Sequence, residues 1–108
     1  MVVSVPVSDG GPNTVVEALA CGRPIVASDL PPNREWLATL DPGALVPVGD
    51  AGATAQAIGA VLARPASETR RRAEEGRHAV LDRADRGKTM AAMEVLYREL
   101  AARRRRGR

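Results

Sequence analysis

The sequence predicts an α/β fold in which a short parallel sheet is flanked by helices and followed by a helical C-terminus. Three observations predict it. Two short apolar runs, VVSVP and PIVAS, each have the length of a buried strand, and a segment with helical periodicity separates them. Strand, loop, helix and strand thus fit within the first 28 residues, the size of a βαβ unit, whose strands are parallel. In the second half, apolar residues recur at helical rather than strand spacing.

Residues 2–6 read as the first strand, and Ser8, Asp9, Gly10, Gly11 and Pro12 as the loop beyond it. The next helix has Asn13 or Thr14 as its N-cap, Glu17 placed to close a capping box, and Val15, Val16, Leu19 and Ala20 as its apolar face. Gly22 supplies the left-handed C-cap and Pro24 forbids continuation, so this helix ends near Cys21. Residues 24–28 form the second strand. A proline-rich turn over residues 29–33 leads to a short helix at 34–38, a turn at Asp41, Pro42 and Gly43, and a weaker third strand at 44–48. Asp50 caps a helix reaching Leu62, with Ile58, Val61 and Leu62 as its buried stripe. Ser67 opens a charged helix running to about Asp85. Gly87 separates it from a terminal helix and Arg-rich tail over residues 88–108, carrying Met90, Met93, Leu96, Tyr97 and Leu100 on one stripe.

Composition narrows the function. The chain of 108 residues is one domain in length, and with one Trp, one Tyr and no Phe it has no aromatic platform for single-stranded nucleic acid, which is therefore disfavoured as a partner. Cys21 is the single cysteine and there is a single His, so neither an internal disulfide nor a structural zinc site is expected. The lone cysteine fits a reducing compartment, and no apolar run spans a bilayer, so a cytoplasmic protein, at most peripheral to the membrane, is expected. The net charge of +3 resides in the terminal arginines at 103–106 and 108. They read as a solvated helix end, cations near the negative pole of the dipole, in preference to a patch for phosphate-rich partners, either nucleic acid or anionic lipid. Cys21 reads as a small buried hydrophobe, His78 as a surface residue, Trp36 as packing, and Glu35 as a residue holding the loop after the second strand.

The chemistry centres on SDGGPNTVVEALACG. Ligands of an open parallel sheet bind beyond the carboxyl ends of its strands, where Ser8 to Thr14 fall. Gly10 and Gly11 let backbone approach a ligand, and the adjoining helix presents its positive end, so the segment is an anion site with phosphate as its natural occupant. Asp9 and Glu17 flank it. Carboxylates repel phosphate but accept hydrogen bonds from hydroxyls, and a nucleotide sugar carries a diphosphate between two hydroxylated rings.

SDGGPNTVVEALACGRPIVASD resembles the donor-binding segment of family-4 retaining glycosyltransferases with the GT-B fold. That family carries an acidic residue, seven intervening residues and a Glu, the spacing of Asp9 and Glu17. NREWL at residues 33–37, ALVPVGD at 44–50 and YREL at 97–100 resemble its next turn, strand and terminal helix in the same order. The resemblance implies a partial Rossmann-like lobe, the latter part of a GT-B donor domain, occupying residues 1–108 as a single domain. It also implies roles. Asp9, Gly10, Gly11 and Asn13 would bind the donor sugar, Thr14 and Glu17 the nucleotide, with Glu17 on the ribose hydroxyls. No residue is assigned as catalytic, no metal or cofactor is expected, and the nucleotide sugar is the substrate. The family's first acid is usually Glu, so Asp9 is shorter by about 1.5 Å, one carbon–carbon bond, which bears on the sugar preference.

Other readings stand beside these. Glu17 could serve only the capping box with Thr14, and Asp9 only the turn. By the resemblance, base recognition, the Arg and Lys that neutralise the diphosphate, and the acceptor domain would all lie in a preceding polypeptide. The chain alone is then expected to be inactive and to pair with that missing part or with itself. A binding-only module for nucleotide sugars and an Arg-tail interaction module are the alternatives.

Overall fold

The computed structural model describes residues 1–107, and Arg108 of the terminal arginine run lies outside the described residues. The elements run in the order β1 (Val2–Ser4), α1 (Asn13–Ala20), β2 (Ile25–Ser28), α2 (Pro31–Leu40), a 3-10 turn (Pro42–Ala44), β3 (Leu45–Val46), α3 (Ala51–Leu62), α4 (Ala66–Arg83) and α5 (Arg86–Arg106). The sheet has the order β1-β2-β3 and both pairings are parallel, with Val3 opposite Val26 and Ala27 opposite Leu45. Parallel strands carry helices on both faces. Here α1, α2 and α4 enclose Val15, Leu19, Ile25, Trp36, Leu37 and Val80 on one side, while Ala57 and Val61 of α3 cover Val26 and Val46 on the other. All four residues of β2 are consequently buried.

Several local expectations are corrected. The strands are shorter than residues 2–6 and 44–48, because Pro6 and Pro47 lack the N–H that a ladder requires. The proline-rich turn at 29–33 is largely helix, since α2 begins at Pro31, and prolines in a first turn forgo only N–H groups that have no partner there. Gly22 does adopt φ 62°, and the amides of Gly22 and Arg23 return to the carbonyls of Leu19 and Ala18, a complete Schellman closure. Leu62 is 70% exposed, and Ala57 takes its place beneath α3. Cys21 is exposed rather than buried, because the closure at Gly22 leaves it on the outer side of the helix end. Gly87 lies inside α5, and the break comes at Asp85, whose carboxylate accepts the Lys88 amide at 3.0 Å.

At the amino end of the sheet, Asp41 accepts two hydrogen bonds from Arg64, at 2.7 and 2.9 Å, with Arg72 3.1 Å away. Arg72 also donates to the Leu40 carbonyl and to Glu68. The hydrogen bond to Glu68 and the Asp41 charge hold the Arg72 guanidinium above its ordinary value. Arg83 stacks 4.2 Å from the centre of the Trp36 ring and donates to the Glu35 carbonyl, fixing the end of α4 on α2. Trp36 is packed and His78 exposed, as expected.

Candidate functional site

The loop between β1 and α1 leaves the carboxyl end of the sheet and runs into the amino end of α1. The sequence folds this way locally because a strand with Pro6 just beyond it cannot extend its ladder, and the apolar spacing of Val15, Ala18 and Leu19 turns one helical face inward. Glu17 lies on the other face. It is solvent-exposed in the second turn, and Asp9, Gly10, Asn13 and Thr14 are exposed as well, with Gly11 half-buried.

The capping box does not form. Pro12 occupies the N-cap position without a side-chain cap, and its carbonyl accepts the first helical hydrogen bond, from Val16 at 2.9 Å. Neither Asn13 nor Thr14 is the cap, because both already belong to the helix. The amides of Asn13, Thr14 and Val15 precede that first bond and stand at the positive end of the helix dipole. Asp9 turns back on its own loop and accepts the Gly11 amide at 3.2 Å. That amide is directed to Asp9, so the outward donors are those at the start of α1.

Gly10 and Gly11 have no φ in the left-handed region, and a Cβ at either would meet no atom within 4 Å. Folding alone therefore does not require glycine at these positions. Open space above them is what a closely approaching ligand needs.

Two residues with no role assigned from sequence fix the loop. Ser28, fully buried at the end of β2, donates from Oγ to the Pro6 carbonyl at 2.7 Å. Asn33, 3% exposed, donates from Nδ2 to the Ser28 carbonyl at 2.9 Å. Asn33, not Glu35, thus holds the loop after the second strand; Glu35 is exposed and contributes its carbonyl. A small polar residue closing an otherwise apolar strand was the available signal for Ser28. Asp29 pairs with Arg34 beside this tether, and the pairing holds Arg34 above its ordinary value.

A small, partly open cavity of about 30 Å³ lies at the opposite end of the sheet among Leu19, Arg23, Leu37, Asp41, Arg64 and Arg72, so it is separate from the glycine loop. Among the described residues no cluster of His, Cys, Asp and Glu could hold a metal ion, and no helix is long and apolar enough to cross a membrane.

The sequence model of the family described as glycosyl transferases group 1 matches residues 1–64, which include the whole sheet, the glycine loop and α1 to α3. The chain belongs to this family. The phosphatidyl-myo-inositol mannosyltransferase of Mycobacterium leprae (strain TN) is 50% identical over 48 residues, which are 44% of this chain and 13% of that protein. The match therefore spans a small part of this relative's length. No solved structure matches.

Proposed function

We propose that this chain is the nucleotide-sugar-binding segment of a retaining GT-B glycosyltransferase of family 4, from the latter half of its donor domain. The observation that carries the reading is the pair Gly10 and Gly11, glycines that neither backbone conformation nor crowding demands, placed before the exposed amino end of α1. Family membership supports it, since the matched residues contain this loop.

In this reading the amides of Asn13 and Thr14 meet the diphosphate, Glu17 accepts hydrogen bonds from the ribose hydroxyls, and Asp9 faces the hydroxyls of the transferred sugar. In transfer the bond between the anomeric carbon and the diphosphate oxygen breaks, and a bond from that carbon to an acceptor oxygen forms. Negative charge grows on the departing diphosphate, where amides fixed at a helix end stabilise it most. The carboxylate of Asp9 has a free oxygen for the sugar while Oδ1 holds Gly11. The name of the relative makes a nucleoside diphosphate mannose the first donor to test, and an inositol phospholipid the first acceptor. Because the matched 48 residues cover 13% of that relative, transfer itself is assigned to a longer assembly and donor binding to this segment.

The test is titration of the chain with nucleoside diphosphate sugars, the mannose donor among them, monitored by calorimetry or amide chemical shifts. Glu17→Ala should weaken binding about 5- to 30-fold, as expected for losing one or two hydroxyl hydrogen bonds worth roughly 1–2 kcal/mol together. Identical affinity of the variant and the parent, or no shift of loop amides at millimolar donor, would overturn the assignment.

A further inference from the structure

Of the six aspartates in the chain only Asp9 is followed by glycine; the others precede Leu30, Pro42, Ala51, Arg83 and Arg86. Asp9 and Gly10 are both exposed, in a segment that belongs to neither helix nor strand. The Gly10 amide donates no hydrogen bond to the described residues. A Cβ at Gly10 would meet nothing within 4 Å, so no neighbour restrains this peptide unit. The Gly11 amide, donating to Oδ1 of Asp9 at 3.2 Å, draws the carboxyl group forward over Gly10. We propose that Asp9 and Gly10 are a site of spontaneous covalent modification, where the main chain passes through a succinimide to isoaspartate.

The carboxylic acid form of Asp9 reacts. The Gly10 nitrogen attacks Cγ, and negative charge developing on Oδ1 is met by the Gly11 amide already bonded to that atom. A bond from Cγ to nitrogen forms and the bond from Cγ to Oδ2 breaks. Oδ2 leaves as water, taking the carboxyl proton and the Gly10 amide proton. Water then opens the ring. Addition at Cγ restores aspartate, whereas addition at the Asp9 main-chain carbonyl carbon breaks its bond to the Gly10 nitrogen and leaves isoaspartate. Water is the only co-reactant, and glycine permits ring closure because it has no side chain to crowd the nitrogen. Each of the other aspartates is protected. Pro42 has no N–H, the Leu30 amide is bonded to the Ser28 carbonyl, and Asp82 lies within α4. Asp50 and Asp85 cap α3 and α5, their carboxylates held by amides three residues on. At Asp9 the product lengthens the main chain by one carbon–carbon bond, about 1.5 Å, between the Pro6 tether and α1, and moves the carboxylate off its present position.

The experiment ages the full chain for weeks at neutral pH and body temperature. Cleavage after glutamate releases residues 1–17, in which Asp9 is the only aspartate. Chromatography separates the isoaspartyl peptide, electron-transfer fragmentation locates the isomer, and the succinimide is seen as the loss of one water. Isoaspartate should accumulate at Asp9 while Asp29, Asp50 and Asp82 stay unchanged. Conversion should fall below detection in Gly10→Val, whose branched side chain crowds the nitrogen, and in Asp9→Glu, which would need a six-membered ring. Trp36 fluorescence checks that both variants keep the fold. The folded chain should convert at least as fast as a free peptide of residues 5–13, because the Gly11 amide holds the carboxyl group in place. No conversion, conversion equal to that at Asp82, equal conversion in Gly10→Val, or a rate far below that of the peptide each overturns the proposal. Donor affinity is a separate readout that rests on the function proposed above. The aged chain should bind a nucleoside diphosphate sugar at least about tenfold more weakly. Unchanged affinity with isoaspartate present confirms the modification site and removes Asp9 from the donor contacts.

Discussion

Gly11 separates a folding role from a binding role at a single atom. Its backbone is open to alanine and no neighbour stands where a Cβ would go, so Gly11→Ala should change stability by no more than about 0.5 kcal/mol in a denaturant titration. The same methyl group would stand between the loop and an approaching diphosphate, and donor affinity should fall at least about tenfold. A variant that is destabilised but binds normally would assign the glycine to the fold. Ser28 behaves in the opposite way. Its hydroxyl is fully buried and its one hydrogen bond holds the Pro6 carbonyl, so Ser28→Ala removes the donor for that carbonyl and should cost about 1–3 kcal/mol, read as a lower denaturant midpoint. Loss of this tether also frees the loop that carries Asp9, so donor affinity should fall with stability. Glu17 could be recognised from the sequence as a candidate but not as to its role, since spacing alone cannot tell a capping partner from a ligand contact. The fold removes the first role, because Pro12 rather than Thr14 occupies the cap.

At the level of elements, the amino end of the sheet is fixed by Asp41, which joins the end of α2 to Arg64 beyond α3 and to Arg72 of α4. Asp41 and Arg64 side chains are each 13% exposed, so removing the carboxylate leaves two guanidinium groups short of a partner in a largely dry place. Asp41→Ala is expected to destabilise by about 2–4 kcal/mol, a large share of the stability of a domain this size, while Asp41→Asn should recover part of it by keeping one acceptor. A thermal melt of the three proteins checks the order. Nothing in the sequence marked this cluster, since its members are 23 and 31 residues apart and such pairings depend on how elements meet. By contrast, features that depend on neighbouring residues were legible. The βαβ order, the parallel pairing, the Asp50 cap and the Gly22 closure all arise from local periodicity and backbone preference. The two prolines at 31 and 32 misled because the same residues suit a turn and a first helical turn, and the choice between them is made by the helical packing of Asn33, Trp36 and Leu37. Leu62 misled for a related reason: α3 meets β2 and β3 over a narrow stripe that ends at Val61.

For the whole molecule, the radius of gyration is 17.7 Å and the longest extent 62 Å, where a compact chain of this length would have a radius of about 13 Å. The excess comes from α5, a helix about 31 Å long that none of the body covers. Stability should therefore reside almost entirely in residues 1–85, where both apolar clusters are found. Ending the chain after Asp85 removes no buried side chain, so the melting temperature should move by less than about 4 °C, the shift that corresponds to a change under about 0.5 kcal/mol. Solution scattering should give that shorter protein a radius of gyration near 12 Å, against the larger value for the parent. Titration with a nucleoside diphosphate mannose should give both the same affinity, because the glycine loop and α1 lie wholly within the retained part. A cooperative loss of folding on truncation, or a parent chain that scatters as a compact body near 13 Å, would mean that α5 folds back onto the sheet and that its stripe is covered from within.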